Sequence, residues 1–254
     1  KLAGADPHLA DNFRSLGGVH KSLGNIDKSI FCYDKSMQIY QQHQQEQEQE
    51  AFEPKNTVGN NFESLREEMS KMREHIALSL AGKGEALRSG EQFPEALSCF
   101  SECLDIRKSI DGPESAKDCG NVLLQMGDIY SQLGDNTNAS SSFASALATY
   151  RQIYGTKHQT VADVLQRMSA HFVKVGEFER AYSCVKEART LWKELLGPED
   201  TKTGDSQFIM GTILFEWNDF AEASKFFERA RSIHKQKLGE TDLNVANSNF
   251  YLGC

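Results

Sequence analysis

Residues 175–200 read VGEFERAYSCVKEARTLWKELLGPED, and residues 217–242 read WNDFAEASKFFERARSIHKQKLGETD. At a shift of 42 the two stretches align Phe178 with Phe220, Ala181 with Ala223, Ala188 with Ala230 and Gly197 with Gly239. A recurrence of this length marks a repeat architecture, in which each supersecondary unit buries its apolar face only against its neighbours. Upstream, Gly134, Ala139, Ala146 and Gly155 each stand 42 residues before Gly176, Ala181, Ala188 and Gly197. Ala96 lies 43 before Ala139, with one residue added in the turn. A further copy, LGNIDKSIFCYDKSMQIY, starts at Leu23, and a sixth begins with NVANSNFYLGC at Asn244 and stops.

Within each unit two helical stretches flank a turn of the form Gly-x-Phe/Ile-x-x-Ala/Ser. The first carries a small residue (Gly17, Gly84, Gly127, Ser169, Gly211) and the second another (Ser29, Ala96, Ala139, Ala181, Ala223) to lie against it. Helix axes approach to about 8 Å only where one side of the contact is nearly bare. The expected fold is therefore all-α: a solenoid of stacked antiparallel helix hairpins. It has about five full repeats and a partial sixth, running as a single solenoid through residues 1–254. This reading also decides residues 80–97, LAGKGEALRSGEQFPEAL, whose glycines resemble a phosphate-cradling loop. No strand-like stretch precedes Gly82 and the GxxxxGK[ST] spacing is missing, so Gly84 is expected to pack helices and Gly90 to make a turn.

The pattern closely resembles the tetratricopeptide repeat. Its 42-residue period, bridged by LGPEDTKTGDSQF at residues 196–208 and LGETDLNVANSNF at residues 238–250, resembles in particular the repeats of kinesin light chain. In that family a leucine–glycine, a polar linker and a valine–alanine start join successive repeats, and TVAD at Thr160 and NVAN at Asn244 match. GADPHLADNFRSL at residues 4–16 resembles the same linker, out of register by one residue. The family's opening asparagine pair is replaced by VLQRMS and SQFIMG in the complete repeats, and its long amino-terminal heptad region has no counterpart here. The resemblance implies a right-handed superhelical solenoid that binds other proteins.

Between Ser29 and Ala96 the spacing is 67 rather than 42, so about 25 extra residues sit in the first linker, within residues 41–75. Part is a glutamine/glutamate run, QIYQQHQQEQEQEAFEPKN, whose composition buries little. Beyond it Phe62, Leu65, Met69, Met72 and Ile76 step by 3 and 4, a heptad seam that predicts one helix over about residues 61–89. The preceding helix is expected to run past Tyr40 toward Pro54, offering mainly glutamines opposite the seam. The stripe is then either a docking site for another chain or the inner face of a long hairpin.

Charge and chemistry narrow the function. A formal net charge of −8 argues against nucleic acid or an anionic lipid surface as partner, and no apolar run reaches the roughly 20 residues of a membrane span. The six cysteines form no CxxC pair, which places the chain inside the cell, in the cytoplasm or in an organelle after loss of a targeting peptide. A chain opening on Lys1 is read as a segment of a longer protein or a processed form. Cys99 and Cys103 have a metal-compatible i, i+4 spacing but lack completing ligands, and no nucleophile elbow or HExxH motif occurs. No catalytic residue, cofactor or metal is expected.

What remains is the concave groove that first helices line in such stacks. The register places Asp11, Arg14 and Lys21 there from repeat one, and Glu85 and Arg88 from repeat two. Asn121, Leu124 and Asp128 follow from repeat three, with Asp163, Gln166 and Lys174 from repeat four. Repeat five supplies Asp205, Phe208, Phe215 and Glu216. The expected function is a non-enzymatic scaffold or adaptor that binds peptide segments or helices of other proteins through this groove and through the helical arm. Its alternatives are an architectural subunit of a large assembly and a regulatory module of a longer multidomain protein.

Overall fold

Five times along the chain a helix ends in the same way. The backbone N–H groups of Asn25, Gln92, Asp135, Glu177 and Asp219 each donate to the carbonyl five residues back, at 2.8–2.9 Å. Each closes over one residue of positive φ: Gly24, Glu91, Gly134, Gly176 and Asn218. This is the Schellman closure of a helix C-terminus, in which the left-handed residue lets the chain double back. In repeat two Gly90 lies in the turn as expected, and the left-handed residue is its neighbour Glu91. Gly90 beside it is tight for another reason, since a Cβ there would lie 3.1 Å from Ile26 Cγ2.

The computed structural model describes residues 6–51, 61–110 and 112–253, and all regular structure among them is helical. In chain order the helices are α1 (Pro7–Ser22), α2 (Ile26–Ala51), α3 (Asn61–Ser89), α4 (Phe93–Lys108), α5 (Pro113–Leu133) and α6 (Asn136–Tyr154). Then follow α7 (Gln159–Lys174), α8 (Phe178–Leu195), α9 (Thr201–Glu216), α10 (Phe220–Leu238) and α11 (Leu243–Gly253). They divide into two compact units, Lys1–Ile129 and Tyr130–Cys254, with the boundary inside α5.

First helices begin on a recurring cap. Asp6, His158, Asp200 and Asp242 each accept from the backbone N–H two residues on, at 2.8–3.2 Å. Each stands 11 residues before Gly17, Ser169, Gly211 and Gly253. The cap of α1 is thus in register with the others, and the one-residue offset falls in residues 1–5, outside those described. The interval from first-helix to second-helix small residue is 12 in every repeat, so the residue added in repeat two lies after Ala96 and not in the hairpin turn.

In the first unit α3 lies between α2 and α4, and its glycines face both ways. A Cβ on Gly82 would come within 2.5 Å of the Tyr33 ring of α2, and one on Gly84 within 2.7 Å of the Phe100 ring of α4. Gly17 of α1 grips the same Tyr33 ring, with 3.1 Å to an added Cβ. The bare surfaces of α1 and α3 therefore receive an aromatic ring four residues after the small residue of the second helix, not that small residue alone. Ser29, at the small position, instead donates its hydroxyl to the Gly17 carbonyl at 2.8 Å. Lys83, between the two glycines, extends to Asp34 on α2 at 2.6 Å. The phosphate-loop look of GKG comes from two ring sockets and an ion pair.

The long α2 and α3 form an antiparallel hairpin. Met72 and Ile76 are buried in it, and Tyr40 is 1% exposed with its ring stacked on His75 at 5.0 Å. The partner of the seam is therefore Tyr40, with Met37 and Ile39 partly buried nearby, rather than glutamines. Tyr40, Ile76, Leu80, Phe100, Cys103 and Leu104 continue into one core. Burial pushes the Cys103 thiol up to about 12, and its Sγ donates to the Ala77 carbonyl at 3.2 Å, as an apolar core residue does.

In the second unit Gly211 takes the ring of Phe227, at 2.8 Å from an added Cβ. Repeat four uses a different pair: Ser169 replaces the glycine, and Val185, four residues after Ala181, replaces the aromatic, both fully buried. His171 is buried between the hydroxyls of Ser131 at 3.0 Å and Ser140 at 3.1 Å. Burial lowers its pKa below the ordinary 6.5, so the folded chain holds the imidazole neutral. A histidine depressed in this way stabilises the fold above its unfolded pKa and loses that contribution as pH falls from 6.5 through the folded value. Urea melts between pH 7 and pH 5 should therefore fall more steeply for the parent chain than for His171→Gln, and equal slopes would contradict this assignment.

Candidate functional site

The groove candidates of the first unit are largely engaged with one another. Lys21 on α1 pairs with Glu85 on α3, and Arg14 holds Asp11 at 2.6 Å. His75 of α3 comes within 3.4 Å of the same Asp11 carboxylate. Burial pulls the Asp11 pKa upward, but bonds from Arg14 and Tyr40 and the nearness of His75 outweigh it and hold the carboxyl below its ordinary value. Arg88 is half-buried, its Nε buried without a hydrogen-bond partner. On α5, Asn121 is exposed, Asp128 half-buried and Leu124 buried.

In the second unit Asp163 and Lys174 are exposed on α7, and Glu216 is exposed at the end of α9. Gln166 reaches across to Ser206 of α9 at 3.1 Å. Asp205 turns toward α10, where its carboxylate lies 3.0 Å from Nε2 of the buried His234. Phe208 and Phe215 are half-buried, 5.6 and 5.3 Å from the Tyr251 ring of α11. Tyr251 also stacks on Phe227 at 4.8 Å, and Phe250, though 68% exposed, meets the Tyr251 ring edge-on at 5.6 Å.

Along the arm the stripe divides. Met72 and Ile76 belong to the hairpin interior, whereas Leu65 and Met69 are half-buried. These two line a cleft of about 650 Å³ with Arg66, Ser70, Arg73, Ser109 and Ile110. The side chain of Phe62 lies outside the described residues. Sequence reasoning named Leu65 and Met69 of this cleft and missed Ile110, Arg66 and Arg73, although both arginines fall one position from the stripe.

Among the described residues no group of three or more His, Cys, Asp or Glu side chains converges as metal ligands would, and no helix is long and apolar enough to cross a membrane.

Antiparallel helix pairs, closed by small residues and aromatic rings at a fixed interval, define a helical-repeat protein. Family models described as tetratricopeptide repeat match residues 15–43, 121–160 and 160–236. The chain is a tetratricopeptide-repeat protein, of a family that generally works as an interaction module.

Among solved structures it resembles a putative kinesin light chain with nearly identical TPR-like repeats from Podosopora anserina. That match has a TM-score of 0.68 at 12% identity, covering 91% of this chain and 97% of that one. BtubC (BKLC) from P. vanneervenii follows at TM-score 0.59 and 16% identity, covering 87% of this chain and 82% of that one. YrrB, described as a TPR protein with an unusual peptide-binding site, matches at TM-score 0.53 and 12% identity, over 94% of this chain and 90% of that one. At such identities these are likenesses of fold. No curated protein matches the chain in sequence.

Proposed function

We propose that the chain is a non-enzymatic scaffold that holds a segment of a partner protein, with the arm cleft as its principal contact. The observation that carries this is the Leu65–Met69 cleft, an apolar floor of about 650 Å³ with two arginines on its rim. Leucine and methionine so placed suit the apolar side of an amphipathic helix or extended segment, and Arg66 and Arg73 suit acidic residues flanking it. The exposed Asp163 and Lys174 on α7 supply a second, polar contact surface of the kind that first helices offer in peptide-binding repeats.

A photo-crosslinking residue placed in turn at Leu65, Met69, Asp163 and Lys174, with exposed Lys186 of α8 as control, tests the proposal in the native extract. Partner adducts are expected at the first four positions, strongest at Met69, and reduced at least tenfold by Leu65→Asp. Adducts confined to Lys186 and similar outer positions would overturn it. A second reading, an architectural subunit, draws on the exposed Leu243 and Phe250 of α11. In that case crosslinks concentrate on α11.

A further inference from the structure

A second cleft, of about 330 Å³, lies wholly within the second unit and takes no part in the surfaces above. Its walls are α8 and α10. Arg189 and Lys193 stand one turn apart on α8, and Lys225 and Arg229 one turn apart on α10. The first turns of α9 contribute Thr203 and Gln207, the latter 3% exposed, and Pro198 and the half-buried Phe226 supply apolar edges. Four cations thus face a lining that holds one carboxylate, Glu222, which Lys225 already binds at 2.6 Å.

The other three cations are poorly satisfied. Among the described residues Lys193 and Arg229 pair with no carboxylate. Arg189 reaches Gln207 Oε1 only at 3.5 Å, and its Nε is buried with no hydrogen-bond partner. A guanidinium has five donors, and a buried donor left without an acceptor costs free energy. Like charges gathered around one cleft repel, more strongly where water is partly excluded. In a chain of net charge −8 such a cluster is not a consequence of composition. It is the arrangement that an anion completes.

We propose that this cleft binds a phosphate monoester, carried either on a phosphorylated side chain or on a small molecule. A monoester is mostly dianionic at neutral pH and has three strong acceptor oxygens. Arg189 and Arg229 match those oxygens with paired N–H forks, and Lys193 adds a point charge. A single carboxylate would neutralise one cation and leave the remaining two facing each other. Phe226 and Pro198 at the edge give an apolar path for the group that carries the ester.

The test is a titration of the isotope-labelled chain with O-phosphoserine, with a glycine-flanked phosphoserine peptide and with its unphosphorylated twin. The Nε–H resonance of Arg189 and the backbone amides of α8 and α10 report on the site. Both phosphorylated probes are expected to give saturable shifts confined to the cleft, and the unphosphorylated peptide none. A phosphopeptide at least tenfold tighter than O-phosphoserine assigns the ester to a protein chain, and equal affinities assign it to a small molecule.

Lys193→Met/Arg229→Met changes two exposed side chains and is expected to leave thermal unfolding intact while weakening binding at least tenfold. Glu222→Gln, which removes the competing carboxylate, should tighten it several-fold. Non-saturable shifts, equal response to the unphosphorylated peptide, or affinity unchanged in the double variant would each overturn the proposal.

Discussion

Gly84→Ser lowers the midpoint of thermal unfolding, and Phe100→Val placed in the same chain costs less than the two changes cost separately. A Cβ on Gly84 lies 2.7 Å from the Phe100 ring, which is 1% exposed and has nowhere to retreat. Forcing volume into a filled core costs about 1–3 kcal/mol. Phe100→Val alone leaves a void, at a cost below the about 3–5 kcal/mol of complete truncation to alanine. The double variant rebuilds the pair found in repeat four, where Ser169 and Val185 stand at the equivalent places. Contacting residues of this kind couple by about 0.5–3 kcal/mol. Urea denaturation of the four chains gives the coupling directly, and strictly additive losses would show that the ring does not occupy the glycine's space.

Removing Asp118 is expected to damage the first unit more than removing the arginine it serves. Arg107, at the end of α4, is 2% exposed, bonded to Asp118 at 2.8 Å and flanked by Glu74 at 3.7 Å. Its Nε has no acceptor, so the carboxylates are what compensate the buried charge. Asp118→Ala strands that charge at a cost of about 1–3 kcal/mol, toward the lower end because the aspartate side chain is 31% exposed and partly screened. Arg107→Met removes the charge itself and leaves a methionine that packs in its place, while Asp118 rehydrates. The Ser115 hydroxyl bond to the Arg107 carbonyl, 2.6 Å, survives because it uses the backbone. Stability should fall in the order parent, Arg107→Met, Asp118→Ala, then Asp118→Ala/Glu74→Gln. An Arg107→Met chain less stable than Asp118→Ala would mean that the guanidinium holds the unit together by packing rather than needing rescue by its partners.

Much of the fold was legible because its signals are local. The turn residues between helices and the helical stepping of apolar side chains each depend on backbone conformations within a few residues, and their recurrence every 42 residues makes them readable. A heptad seam likewise foretold α3 as a single helix over Asn61–Ser89. Gly90 lies in the repeat-two turn as expected, but it is not the residue that reverses the chain. Glycine is the usual left-handed residue, and here Glu91 takes that conformation while Gly90 is required for closeness to Ile26.

The candidate site was less legible. Register alone put Arg14, Lys21 and Asp205 on first helices, but it could not show that Lys21 is spent on Glu85 or that Asp205 faces His234. The cation cleft went unread because its charges sit on two helices that are not consecutive, Arg189 and Lys193 on α8 and Lys225 and Arg229 in the string KFFERARSIHKQK of α10, a string that alone reads as a solvated face.

The sequence by itself determined that the chain would be helical, where its hairpins turn and which positions must be small, because helical periodicity and turn chemistry act over one or two helical turns. Only the tertiary structure decided which ring enters which glycine socket, which half of the arm stripe stays open and which charges remain unpaired. Those outcomes join residues tens of positions apart, and they depend on how whole helices are set against one another, a geometry that no short stretch of sequence specifies.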